Sequence, residues 1–243
     1  MRKIIIPIFL VLTFLCSTAM SETAADWFRK AEALWDGKKF TDPKKAIKYL
    51  NNGIKLSPNI ASAYYNRGVA YRDLGQYKRT IEDCNQAIRL EPNNTDAYLN
   101  RGVAYYNVGQ YQFAIKDYNQ ALRLKPDYAD AYYGRGDVYS SLNQYQRAIE
   151  NYNEAIRLKP DNVGAYYNRG AIYNKIGQYQ RAIEDFNKAI LLNPNDADAY
   201  KNRGLSYYLL KNNELGCRDA KKACELGNCK TLELVKKNKG ACR

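Results

Sequence analysis

Along residues 61–94, apolar and small side chains recur with a helical period. Tyr64, Gly68 and Tyr71 stand at i, i+4 and i+7, one stripe of a helix turned toward a partner. Gly75-Gln76-Tyr77 interrupts that stripe, and glycine readily supplies the positive φ of a helix C-cap. Ile81, Cys84 and Ile88 begin a second stripe at i, i+3 and i+7. Glu91-Pro92-Asn93 ends it, because the residue before proline avoids the helical region and proline cannot donate the next bond. The segment predicts a hairpin of two amphipathic helices. Gly68 and Ala87 are the small positions on otherwise bulky stripes. A glycine inside a helix costs about 1 kcal/mol relative to alanine, so its place here points to close approach of the two helices.

The same pattern returns every 34 residues. Prolines fall at 58, 92, 126, 160 and 194. Ala-Tyr pairs begin at Ala63, Ala97, Ala131, Ala165 and Ala199, and Arg-Gly pairs at Arg67, Arg101, Arg135, Arg169 and Arg203. Self-similarity at such a period means a solenoid whose units bury their apolar faces against neighbours. In 95–128 the recurring residues are Tyr98, Gly102, Tyr105, Gly109, Tyr111, Ala114, Tyr118, Ala121 and Pro126. This set at this spacing resembles the tetratricopeptide repeat family. The resemblance implies an all-α, right-handed α-solenoid of stacked antiparallel helix pairs, about six repeats in all. Four full repeats occupy 61–196. A divergent first repeat spans 22–60, with Trp27, Ala31, Leu34, Phe40, Ala46 and Pro58, and its register needs the insertion Thr41-Asp42-Pro43. A degenerate sixth, 197–228, has Lys211 and Asn213 where glycine and tyrosine are expected.

Residues 1–21 break from the repeat pattern. Arg2 and Lys3 precede an apolar run from Ile4 to Leu15, and small residues follow through Ser21. That order predicts a secretory signal peptide cut after Ser21 or Ala19, with an apolar run too short to span a bilayer. The expectation is an exported protein, periplasmic or secreted, that does not span the membrane once the signal is removed. The formal charge is +13, with 23 tyrosines and no histidine. Lacking histidine, the chain has no Ser-His or Cys-His nucleophile pair, imidazole metal ligand or ready acid–base group near neutral pH. The reading is therefore non-enzymatic, without cofactor, metal site or small-molecule substrate. Excess base gathers in 22–60 and 211–243 rather than along the long middle, which argues against a nucleic-acid reader.

Each first helix carries an arginine with a partner sixteen residues on. The pairs are Arg67/Asp83, Arg101/Asp117, Arg169/Asp185 and Arg203/Asp219, and Arg135 faces Asn151 instead. Arginine suits bidentate carboxylate pairing, so these predict bridges between helices rather than a ladder for phosphates. Of six cysteines, Cys16 lies in the leader, and Cys84 takes the slot of Tyr118, Tyr152 and Phe186, as a buried thiol. Cys217, Cys224, Cys229 and Cys242 crowd the C-terminus, which in an exported protein favours disulfides. Four cysteines allow three connectivities. With 215–226 helical, a turn at Gly227-Asn228 and a returning helix over 230–238, the nested pairs Cys224–Cys229 and Cys217–Cys242 fit. Residues 229–243 would then form a stapled cap, with Leu226, Leu232, Leu234 and Val235 covering the last repeat and Lys221, Lys222, Lys236 and Lys237 facing water.

In proteins of the family it resembles, the first helix of each pair lines a concave groove. The corresponding positions here are Tyr65, Leu99, Tyr133, Tyr167 and Lys201, followed by Asn66, Asn100, Asn168 and Asn202. Asp137, Arg72, Tyr106 and Lys175 lie further along. Tyrosine with asparagine gives rigid amphipathic area and adaptable hydrogen bonding. The family's terminal-carboxylate clamp uses an asparagine where this chain has Val69, Val103, Asp137, Ala171 and Leu205. An internal peptide segment or a folded protein surface is the expected partner. A basic, tyrosine-rich binder of polyanions such as glycans, phosphates or single-stranded nucleic acid is the alternative.

Overall fold

A computed structural model describes residues 22–37, 39–237 and 242 of the chain. The expected leader, 1–21, lies outside them, as do the side chains of Leu234, Val235, Lys236 and Lys237 in the expected cap. Among the described residues every regular element is a helix. They are α1 (Ala24–Glu32), α2 (Pro43–Leu56), α3 (Ala61–Asp73), α4 (Tyr77–Leu90), α5 (Thr95–Asn107), α6 (Tyr111–Leu124) and α7 (Ala129–Ser141). The rest are α8 (Tyr145–Leu158), α9 (Val163–Lys175), α10 (Tyr179–Leu192), α11 (Ala197–Leu209), α12 (Asn213–Glu225) and α13 (Lys230–Lys237). The chain is an α-solenoid of stacked hairpins.

The turn inside each hairpin needs one left-handed residue. Gly75, Gly109 and Gly177 supply it at φ 70°, 76° and 78°. The hairpins without glycine use Asn143 at φ 57° and Lys211 at φ 60°. Asparagine tolerates this conformation, whereas lysine carries the full steric penalty. Lys211→Gly is expected to raise stability by about 1 kcal/mol, read as a higher denaturant midpoint. Asn143→Gly should move that midpoint less.

The first hairpin differs. Here α1 stops at Glu32, so Leu34 falls past the helix, and the connection is pinned by an isolated bridge between Trp35 and Phe40. Asp42 then caps α2, accepting from the Lys45 amide at 3.0 Å, and Pro43 occupies its first turn. The inserted Thr41-Asp42-Pro43 is thus the start signal of α2.

Each helix packs on the next in chain order, and α13 lies against α12 and α11. The first helices also touch across repeats: α3 with α5, α5 with α7, α7 with α9, and α9 with α11. Among the described residues no comparable contact joins successive second helices. One row is therefore drawn tighter than the other, and the stack curves with its first helices inside. Small residues permit this closeness. Ala97, Ala131, Ala165 and Ala199 are wholly buried, and a Cβ added at Gly164 on α9 would sit 2.9 Å from the Tyr133 hydroxyl of α7.

The arginines join three helices at a time. Arg101 Nε and Nη2 donate to Asp117 at 2.8 and 2.7 Å, while its Nη1 donates to Asn85 of the preceding repeat at 2.6 Å. Arg67, Arg169 and Arg203 repeat the arrangement with Asp83 and Asn51, Asp185 and Asn153, and Asp219 and Asn187. Arg135 reaches Asn151 at 2.7 Å and Asn119 at 2.6 Å. Below each guanidinium lies the tyrosine three residues earlier: Tyr64, Tyr98, Tyr132, Tyr166 or Tyr200, at 5.3–5.7 Å. These half-buried rings pack against the core and serve as platforms for the arginines as well. The Asp83 hydrogen bond, outweighing burial, raises the Arg67 pKa above its ordinary value. Burial with no carboxylate opposite lowers that of Arg135.

At the C-terminus Cys217 is bonded to Cys242 and Cys224 to Cys229, with Cα atoms 5.4 and 4.0 Å apart. The Tyr208 hydroxyl sits 3.1 and 3.0 Å from the Cys217 and Cys242 sulfurs, tying the staple to α11. Cys84 is a fully buried free thiol, and burial pushes its pKa up to about 12.

Candidate functional site

The inner wall is built from α3, α5, α7, α9 and α11, which carry all the expected groove residues. Much of the expected tyrosine–asparagine row first serves the stack itself. Asn100 Nδ2 donates to the Tyr65 hydroxyl at 3.2 Å, Asn168 Nδ2 to Tyr133 at 3.1 Å, and Asn202 Nδ2 to Tyr167 at 2.8 Å. Each bond ties one first helix to the next. Leu99 and Gly134 stand where the missing step would be, and they lack the hydroxyl and the amide together. Glycine at 134 makes room for Tyr118, whose ring and hydroxyl would lie 2.7 Å from an added Cβ.

This corrects the expectation of Asn100 as an open contact. It is 2% exposed, bonded to the Asp96 carbonyl at 2.9 Å and to the Arg72 guanidinium as well as to Tyr65. Tyr65, Tyr133 and Tyr167 are half-buried with their hydroxyls engaged, and burial pushes the Tyr65 pKa up to about 12. The first helices approach closely enough that their polar side chains satisfy one another before any partner arrives. Asn66, Leu99, Tyr106, Asp137, Asn168, Lys201 and Asn202 are partly accessible, and Lys175 is exposed.

Two hollows open along this wall. Near the N-terminus, Glu32, Trp35, Phe40, Tyr65, Asn66 and Val69 line an apolar hollow of about 280 Å³. The second, about 220 Å³, lies between α5, α7 and α9 and is lined by Tyr106, Asp137, Ser140, Ser141, Tyr152, Asn168 and Lys175, among others. At its base Asp137 Oδ1 accepts from the Tyr152 hydroxyl at 2.7 Å and from Asn168 Nδ2 at 2.8 Å, and the Tyr133 hydroxyl also bonds to the carboxyl. Across the cleft the Lys175 ammonium lies over the Tyr145 ring at 5.6 Å. The pattern singled out Asp137, Asn168, Tyr106 and Lys175. Tyr152, a core position in sister repeats, and the two serines were missed; the only signal for Tyr152 was a hydroxyl where Cys84 and Phe186 have none.

Burial, against the pull of these three donors, pushes the Asp137 pKa from 3.8 up to about 6. A carboxyl whose pKa rises on folding favours the folded state only while protonated, so its contribution is complete below about 4 and lost as pH climbs through about 6. The wild-type chain should lose stability over that window relative to Asp137→Asn, by about 3 kcal/mol at most. Denaturant melts from pH 4 to 7.5 check this, and parallel curves for the two proteins would refute it.

Family models described as tetratricopeptide repeat match residues 61–94, 95–128, 163–196 and 117–150, and one described as TPR repeat matches 136–177. Together they span residues 61–196, more than half of the chain. The chain belongs to the tetratricopeptide repeat family. Solved structures share the fold of this tetratricopeptide repeat stack. The APC/C hetero-tetramer Cut9–Hcn1 matches with a TM-score of 0.75 at 20% identity, covering 91% of this chain and 44% of that one. MamA matches with a TM-score of 0.61 at 29% identity, covering 65% of this chain and 93% of its own. YrrB, described as a TPR protein with an unusual peptide-binding site, matches with a TM-score of 0.63 at 23% identity, covering 77% and 97%. No curated protein matches the chain in sequence.

Proposed function

We propose that this tetratricopeptide repeat chain is an exported, non-catalytic scaffold that holds a segment of another protein along its inner wall. The observation that carries the reading is the cleft between α5, α7 and α9. It presents aromatic, hydroxyl, carboxyl and ammonium groups together in the middle of the curved row of first helices. Concave repeat surfaces are the binding faces of solenoids, and the fold shared with YrrB can accommodate a peptide site. Export is supported by the sequence of the leader and by four late cysteines joined as two disulfides. The polyanion alternative loses its most obvious ligands, because the five ladder arginines are committed to Asp, Asn and Tyr side chains within the stack.

Selection of random peptides displayed against the oxidised chain tests this reading. Binding of the selected peptides should fall about tenfold or more in the double variant Tyr106→Ala/Lys175→Ala, because aromatic contacts at such surfaces carry much of the affinity. Peptides that bind both proteins equally would place the interface elsewhere. Binding that collapses between low and physiological salt would instead favour polyanions.

A further inference from the structure

Of the six repeats, four place an aliphatic residue at the position of Asp137: Val69, Val103, Ala171 and Leu205. The repeat 129–162 puts a partly buried carboxylate there, facing a cleft on the inner wall, whereas the divergent first repeat has the exposed Glu32. Its hydrogen bonds come from neutral donors, Tyr152, Asn168 and Tyr133. Among the described residues no lysine or arginine is paired with Asp137, and Lys175, on the same cleft, rests over Tyr145 instead. A charge withdrawn from water is ordinarily paired, and this one has the hydrogen bonds that orient it but not the opposite charge. The cleft that opens onto it is lined by the half-buried Tyr106 and by Ser140 and Ser141, with the Tyr152 hydroxyl at its base. An aromatic ring attracts a cation to its face, and hydroxyl oxygens accept hydrogen bonds from the cation's N–H groups. Its volume of about 220 Å³ is below the range of small-molecule pockets, which suits one side chain.

We infer that the Asp137 cleft is a specificity pocket for one basic side chain, lysine or arginine, of the segment held in the groove. This rests on the groove reading above. Lys175 at the rim repels a second cation, so the residue beside the basic one is acidic or neutral. The carboxylate therefore fixes the register of the bound segment, while the remaining wall supplies less selective contact.

The probes are n-butylguanidinium, n-butylammonium and the neutral isostere n-butylurea, titrated into the wild-type oxidised chain and followed by the NMR signals of Asn168 and Lys175. Saturable shifts are expected with one or both cations and not with the urea. They should weaken at least about tenfold in Asp137→Asn and in Asp137→Val, the residue of two sister repeats. Equal shifts with urea and cations, or none with any probe, overturn the inference, and this wild-type measurement stands even if a variant fails to fold. Peptides selected on the wild-type chain should share a basic residue at one position, and those selected on Asp137→Val should lack it. Selected peptides that need Tyr106 and Lys175 but show no basic residue overturn the pocket and leave the groove reading intact. Saturable cation binding without any selected peptide overturns the groove reading instead.

Discussion

Arg101→Leu is expected to cost about 3–5 kcal/mol of stability, because it strands the Asp117 carboxylate, whose side chain is 4% exposed. Arg135→Leu makes the same change in shape and loses the matching inter-repeat bond to Asn119, but the group left behind is the neutral Asn151 amide. That amide still donates to the Arg147 carbonyl at 2.7 Å, so the cost there should be about 1–2 kcal/mol. Denaturant midpoints of the two variants, measured side by side at neutral pH, check the difference. Equal losses would mean that the arginines act through their stems and the tyrosine platforms rather than through charge.

Removing the Cys217–Cys242 bond should cost about 3.5 kcal/mol. It closes a separation of 25 residues, and a cross-link of that span removes this much chain entropy from the unfolded state. The Cys224–Cys229 bond, spanning 5 residues, should be worth about 2 kcal/mol. The variant Cys217→Ser/Cys242→Ser tests the first figure in melts of the oxidised chain, and Cys224→Ser/Cys229→Ser tests the second. The larger loop matters for a second reason. It fastens Cys242 beside Tyr208 on α11. A loss confined to the last hairpin would appear as early exchange of α11 and α12 amides while α5–α8 remain protected.

The repeat boundaries were legible because each rests on local chemistry. Proline ends a second helix and glycine turns a hairpin, and both can be counted along the chain. The bridges Arg101–Asp117 and their sisters were legible for the same reason, being two fixed places within one hairpin. Inter-repeat bonds were not. Asn51, Asn85, Asn119, Asn153 and Asn187 recur at the repeat period, but nothing in that spacing says that each amide accepts from the arginine of the following repeat. The inner wall was misjudged in a related way. Spacing put Tyr65 and Asn100 on the groove face, yet it carried no measure of how tightly successive first helices approach. At that separation hydroxyl and amide meet each other, and Asn100 is buried. Asp137 stood out in the sequence as an oddity among aliphatic residues. Its significance depended on Tyr152, which the pattern assigned to the core.

A photo-crosslinking amino acid, benzoylphenylalanine, placed in turn at positions 106 and 175 of the inner wall and at position 112, exposed on α6, tests the binding face in the producing cell. Irradiation should join one recurring protein segment to positions 106 and 175 and nothing to position 112. Adducts at 112 alone, or equally at all three, would contradict a partner held along the first helices.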